Sequence, residues 1–99
     1  MTEAAPESAA NPLAREVEIL NKRGLHARAS AKFVKCAGEF DAELRISKDG
    51  MEVVGTSIMG LMMLAASKGS TISIVADGPQ AGEAMAAIVA LIEDKFGED

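Results

Sequence analysis

One histidine provides the most reactive side chain of this 99-residue sequence, which contains no second histidine. His26 lies in the segment 21–28 (NKRGLHAR), where a glycine-containing loop is expected to become a helix. Imidazole is nucleophilic near neutral pH, and a helix N-terminus binds anions through its free backbone N–H groups and its dipole. A phosphate carried on His26 would meet these groups together with the cation of Arg28. The residue types therefore indicate phosphoryl chemistry.

Both of these side chains also have a simpler interpretation. His26 could be only an N-cap or a solvent-facing polar residue, and Arg28 only a solvated cation on the helix. In-line phosphoryl transfer requires an unprotonated ring nitrogen, which the helix dipole and Arg28 both favour. The dipole contributes about 0.3–1 kcal/mol when exposed and up to about 2 kcal/mol when partly buried. That modest stabilisation suits a carrier, because the phosphate must leave again.

Composition restricts the class of protein. Ninety-nine residues with 48% apolar side chains suffice for one domain with one core. The net charge of −5 and the absence of Trp and Tyr argue against a nucleic-acid partner. A single cysteine, Cys36, is expected to be a packing residue in a reducing compartment, and with one histidine it cannot complete a usual metal site, so we expect neither metal nor cofactor. No apolar stretch is long enough to span a bilayer and no secretory signal is present, which predicts a cytoplasmic protein that does not bind membranes.

The remaining elements follow from hydrophobic periodicity, since alternation predicts strands and apolar residues spaced three and four apart predict helices. Asp49 and Gly50, between two alternating segments, predict a tight hairpin. The predicted strands are 15–20, 42–47, 51–54 and 70–76, and the predicted helices are 26–37, 58–66 and 80–96. This order, β-α-β-β-α-β-α, predicts an α+β fold with helices on one face of a four-stranded antiparallel sheet. Segment 1–13 is predicted to be a disordered tail ahead of a single domain, 14–99.

Three sequence motifs resemble one known family. The segments 24–28 (GLHAR), 31–34 (AKFV) and 57–60 (SIMG) resemble HPr, the histidine-containing phosphocarrier of the phosphoenolpyruvate-dependent phosphotransferase system. The resemblance runs from about Arg15 to the C-terminus. It implies an open-faced β-sandwich with sheet order 1-4-2-3, and a phosphoryl carrier rather than an enzyme. The implied partners are enzyme I, which donates the phosphoryl group, and an EIIA domain, which receives it, and no oligomer is implied.

The resemblance also implies roles for individual residues. His26 would carry the phosphate on Nδ1, and Arg28 would stabilise it. Ser57 aligns with the serine that a dedicated HPr kinase/phosphorylase modifies in some bacteria, although a serine ahead of an apolar helix is also well suited to cap it. Ala29 stands where the family usually has proline, which leaves open a nitrogen-type regulatory branch beside sugar transport. Two other function classes also stay open, an interaction module controlled through Ser57 and a ligand-binding domain of the same topology.

The predicted helix after Ser57 is apolar on nearly all sides, and we expect one part of it to be buried and another part to be exposed. Burial accounts for part of it, with Ile58, Leu61 and either Leu64 or Ala65 expected in the core. Met59 and Met62 are expected on an exposed contact surface, since an open-faced fold cannot bury every side of a helix. The resemblance implies that partners dock on this helix and on the helix after the histidine, through Ala27, Ala31, Lys35, Ile58, Met59, Gly60 and Met62.

Overall fold

The computed structural model describes residues 12–98, which form four strands, three α-helices and one 3₁₀ turn. The elements in chain order are β1 (Leu13–Glu18), α1 (Ala27–Ala37), β2 (Glu43–Lys48), β3 (Met51–Val54), α2 (Ile58–Met63), β4 (Thr71–Asp77), α3 (Ala81–Glu93) and the turn Lys95–Gly97. The predicted order of strands and helices is confirmed. Most of the predicted disordered tail lies outside the described residues, and Leu13, its last residue, is the first residue of β1.

A single antiparallel sheet has the strand order β1-β4-β2-β3 among the described residues, as the family resemblance implies. β1 and β2 both pair with β4, while β2 and β3 form a hairpin in which Lys48 pairs with Met51. The hairpin loop has φ angles of 51° at Asp49 and 84° at Gly50. A two-residue hairpin turn with positive φ at both positions is what an Asp-Gly pair favours. The hairpin prediction is therefore confirmed.

The core lies between one face of the sheet and the three helices. Period-two alternation in β4 buries Ile72, Ile74 and Ala76, and the residues between them are partly exposed. α1 packs against α2 and α3, and α3 packs against β1 and β4. The predicted stripe of α3 lies toward the core, where Ala84, Met85, Ile88 and Ile92 are buried and Ala81 and Leu91 are partly buried at its edge. This packing produces the predicted two-layer, open-faced α+β sandwich.

Two helices end earlier than the sequence pattern predicts. α2 stops at Met63 rather than at residue 66, and Ala65 has a left-handed φ of 53°. α3 stops at Glu93 rather than at residue 96, because Lys95 and Phe96 have φ angles of 56° and 55°. Left-handed backbone cannot continue a right-handed helix. As a result, the last described residues turn back across the molecule, and Phe96 is buried in the core with 1% exposure.

The exposure of α2 corrects one core prediction. Ile58 is 41% exposed and was wrongly expected in the core, because the inward face of this six-residue helix is supplied by Leu61. Leu64, directly after the helix, is buried, whereas Ala65 is exposed. Met59 and Met62 are exposed as predicted, and Met63 joins them at 61% exposure. We call the four exposed residues of this helix, Ile58, Met59, Met62 and Met63, the α2 patch.

Candidate functional site

The loop between β1 and α1 is held in place by the loop that follows α2. The backbone N–H of Leu25 donates to the carbonyl of Ala66 at 2.9 Å. Asn21 is fully buried, and its Nδ2 donates to the carbonyl of Gly24 at 2.9 Å. Gly24 has a φ of +65°, a conformation that glycine adopts at little cost and other residues rarely adopt. These contacts fix the chain immediately before His26.

His26 is the N-cap residue of α1. Its backbone is extended (φ −74°, ψ −177°), its carbonyl accepts from the N–H of Ser30 at 2.9 Å, and its ring Nδ1 accepts from the N–H of Arg28 at 3.3 Å. The ring is 15% exposed. Capping and a chemical role are therefore compatible in one side chain, since Nδ1 lies at the helix N-terminus where an anion would also be stabilised.

A residue that the sequence analysis missed completes the site. The Glu98 side chain, 14% exposed, places Oε2 2.5 Å from Nε2 of His26, and its Oε1 accepts from Nδ2 of Asn21 at 3.2 Å. Nearby, Nζ of Lys32 donates to the carbonyl of Phe96 at 2.6 Å. Glu98 follows the last helix and is 72 residues from His26 along the chain, so no local pattern could have connected the two.

The environment of Glu98 lowers its pKa. Burial acts to raise the pKa, but hydrogen bonds from His26 and Asn21, with the charges of His26 and Lys32, outweigh it. Because the pKa is lowered, the ionised carboxylate of Glu98 stabilises this C-terminal contact fully at pH values above the ordinary carboxyl pKa of about 4.3. The stabilisation is lost as the pH falls through the lower, docked value.

We therefore expect Glu98 to titrate below an ordinary glutamate when its side-chain carboxyl carbon is followed by NMR. In the His26→Ala variant its pKa should rise, because the main hydrogen-bond donor and charge are gone. Glu93, an exposed carboxylate on α3, provides the internal reference in the same spectra. A Glu98 titration that is identical in the two proteins would contradict the observed pairing.

Cationic side chains surround the site on one side. An open groove of about 380 Å³ is lined by Lys22, Arg23, Arg28, Lys32, Gly97 and Glu98. Arg28 is exposed, and within residues 12–98 no hydrogen bond or ion pair engages its guanidinium. A second, shallow groove of about 320 Å³ is lined by His26 itself, by Arg23, which also lines the first groove, and by Met62 of the α2 patch. His26 is thus close both to the basic groove, through Glu98, and to the exposed apolar helix.

The fold and this geometry agree with what the sequence matches among known proteins. A family model described as "PTS HPr component phosphorylation site" matches residues 13–94. The chain belongs to the HPr family. The phosphocarrier protein HPr of Cupriavidus necator is 52% identical over 86 residues, which span 87% of this chain and 97% of that protein. The phosphocarrier protein NPr of Shewanella violacea is 44% identical over 86 residues, 87% of this chain and 94% of its own.

Solved structures of the HPr family show the same fold. The crystal structure of HPr-C-His from Thermoanaerobacter tengcongensis superimposes with a TM-score of 0.84 at 44% identity, covering 88% of this chain and 98% of that one. Membership of the HPr family assigns the chain a phosphocarrier role in the phosphotransferase system. Within residues 12–98, no helix has the length and apolar character needed to cross a membrane.

The other predicted HPr site residues lie on α1 and α2, which pack side by side. Ala27, Ala31 and Lys35 are exposed on α1. Gly60 is only partly exposed, because a Cβ there would lie 3.0 Å from both Ser57 Oγ and Val53 Cβ. A glycine here allows close packing of α2 against β3, and its contact with partners stays a prediction.

Two further polar side chains have clear local roles. Ser57 caps α2, with its Oγ accepting from the N–H of Gly60 at 2.9 Å, as a serine at this position favours. The capping prediction is therefore confirmed, and phosphorylation of Ser57 stays a prediction. Burial, followed by the charge of Glu39, raises the pKa of the Cys36 thiol. A thiol with a raised pKa is not an activated nucleophile, which agrees with a packing role.

Proposed function

We propose that this protein accepts a phosphoryl group from enzyme I on Nδ1 of His26 and transfers it to an EIIA domain. The proposal rests on the different partners of the two ring nitrogens of His26. Nε2 is occupied by Glu98, whereas Nδ1 points to the N-terminus of α1 and accepts only the N–H of Arg28 at 3.3 Å. Nδ1 is therefore the ring nitrogen with a lone pair available for attack.

The chemistry follows from this arrangement. The Nδ1 lone pair attacks the phosphorus of the phosphorylated donor, a P–N bond forms at His26, and the bond between phosphorus and the donor breaks with its electron pair leaving on the donor atom. The N-terminal N–H groups of α1 and the guanidinium of Arg28 stabilise the phosphate on His26. Because the dipole contributes at most about 2 kcal/mol, the phosphate can be passed on by the reverse chemistry.

Partner docking is the second part of the proposal. The α2 patch exposes apolar side chains, with Met59 73% exposed, and Met62 of this patch shares a shallow groove with the largely buried ring of His26. Flexible methionines suit a surface that must bind enzyme I and EIIA in turn. Ala27, Ala31 and Lys35 extend this surface along α1. The protein is proposed to act as a monomer in the cytoplasm, and the presence of Ala29 keeps a nitrogen-type branch as the alternative to sugar transport.

Phosphorylation by purified enzyme I and phosphoenolpyruvate tests the proposal. Intact mass spectrometry should show one added phosphoryl group that is lost in acid, because phosphohistidine is acid-labile and phosphoserine is not. Addition of an EIIA domain should remove the group again. A protein that stays unlabelled with active enzyme I, or an acid-stable label, would refute the function.

Regulation through Ser57 is a separate proposal, supported by its partly exposed position directly before the α2 patch. A phosphate there adds negative charge to the docking surface without requiring the fold to change. Incubation with ATP and an active HPr kinase should add one acid-stable phosphate to the natural chain and none to Ser57→Ala. As a control, Ser47→Ala, on β2 away from α2, should be phosphorylated like the natural chain. Absence of label in the natural chain would leave Ser57 as a helix cap alone.

A further inference from the structure

We propose that Glu98 is a positioning residue that holds His26 in the tautomer with its proton on Nε2. The inference deepens the proposed function, on which it rests, by assigning a role to a residue outside the family motifs that the sequence analysis identified. A carboxylate can only accept hydrogen bonds, so a neutral imidazole 2.5 Å from Oε2 must donate from Nε2. Its single proton is then on Nε2, and Nδ1 keeps its lone pair.

The opposite side of the ring requires the same tautomer. Nδ1 faces the backbone N–H of Arg28, which can only donate. A proton on Nδ1 would therefore bring two donors together, while a proton on Nε2 satisfies both partners of the ring. Glu98 and the first turn of α1 act in the same sense on His26.

Asn21 orients the carboxylate that performs this role. Its Nδ2 donates to Oε1 of Glu98 at 3.2 Å and to the carbonyl of Gly24 at 2.9 Å. Both of these partners are acceptors, which determines the orientation of the Asn21 amide. Because Asn21 is fully buried, the donor is rigid, and the second oxygen of Glu98 is left to face His26.

The C-terminal turn has its own anchors, which keep Glu98 at the ring. Lys95 and Phe96 both have left-handed φ angles, which non-glycine residues rarely adopt. Burial of the Phe96 side chain and the 2.6 Å hydrogen bond from Lys32 to the Phe96 carbonyl hold the turn in this conformation. The turn therefore places the Glu98 carboxylate next to Nε2 of His26, and the contacts that hold the turn do not involve His26.

The charge of Glu98 also matches the phosphorylated state. When Nδ1 forms its bond to phosphorus and keeps the proton on Nε2, the ring itself becomes positively charged. A carboxylate on Nε2 stabilises that charge without taking the proton. No proton has to enter or leave the site during transfer in either direction.

The Glu98→Gln variant provides a sharp test, because Asn21 determines how a glutamine amide would lie. Asn21 donates, so the amide oxygen should turn toward Asn21 and the amide NH₂ toward Nε2 of His26. Nε2 would then have to accept, which favours a proton on Nδ1 even though the Arg28 N–H still faces that nitrogen. Glu93→Gln is the matched control, since it removes an exposed carboxylate on α3.

The measurement is the ¹⁵N chemical shift of both ring nitrogens in the unphosphorylated full chain, at about pH 8.5, where an ordinary imidazole is neutral. We expect the Nε2–H tautomer in the natural chain and in Glu93→Gln, and a clearly larger fraction of Nδ1–H in Glu98→Gln, opposed by the Arg28 N–H. Phosphoryl acceptance should slow about 10- to 100-fold in Glu98→Gln, by analogy with the loss on removing the carboxylate that orients a metal-bound histidine.

An unchanged tautomer in Glu98→Gln would overturn the proposal, even if transfer were slower. The amide spectrum of each variant reports whether the fold is retained, and Glu98→Asp, which keeps the carboxylate, should restore much of the Nε2–H population. The tautomer is measured without any phosphoryl donor. Failure of the proposal about Glu98 can therefore be told apart from failure of the proposed function, which would leave the natural chain unlabelled by enzyme I.

Discussion

The His26→Ala variant is expected to take up no acid-labile phosphate from enzyme I and phosphoenolpyruvate, while the natural chain is labelled. The reason is the absence of any second imidazole in the sequence, so the nucleophile cannot be replaced from within the chain. Intact mass spectrometry before and after acid treatment measures the effect. The expected consequence is complete loss of the phosphocarrier activity.

A matched variant separates chemistry from folding at this position. Alanine removes the cap on Arg28 N–H as well as the nucleophile, which costs about 0.5–2 kcal/mol of stability. Asparagine in His26→Asn caps a helix well and has no ring nitrogen. His26→Asn should therefore keep the helix cap, lose only the contact with Glu98, and still take up no acid-labile phosphate. If either variant is labelled like the natural chain, the phosphate is carried elsewhere and His26 is only a cap.

The Gly24→Ala variant is expected to lose about 2–5 kcal/mol of unfolding free energy. A Cβ at Gly24 would lie 2.3 Å from the carbonyl oxygen of Ala66 and 2.8 Å from Cα of Ser67, both backbone atoms. The left-handed φ of +65° costs a non-glycine residue about 1–2 kcal/mol, and overpacking adds about 1–3 kcal/mol. Relief of the clash must displace the loop and its hydrogen bond from Leu25 to Ala66, which adjoins His26.

Gly50→Ala is the control for this prediction. Gly50 also has a positive φ, +84°, but a Cβ there meets no atom within 4 Å. It should therefore lose only the backbone cost of about 1–2 kcal/mol. Urea unfolding of the natural chain and both variants measures the difference. Equal losses at the two glycines would show that the close approach to Ala66 does not constrain the loop.

The sequence alone determined the local features of the fold. Alternation predicted four strands, Asp49 and Gly50 predicted the hairpin, and Ser57 predicted the cap of α2. His26 could be located at the start of α1 for the same reason, since its neighbours within a few residues specify both the loop and the helix. In each case the deciding interaction joins residues close together in the chain, where residue type and spacing carry the information.

The tertiary structure alone decided how the site is completed. The periodicity of α3 continues to residue 96, yet Lys95 and Phe96 leave the helix, because burial of Phe96 and its carbonyl contact with Lys32 override local preference. That change of direction brings Glu98 to the ring of His26. Ile58 likewise fits the apolar pattern but lies on the face of α2 that stays exposed among the described residues 12–98. These outcomes depend on contacts between residues that are far apart in the chain. Because the packing and hydrogen-bond energies of such contacts are not encoded in any local pattern, the sequence pattern could not predict them.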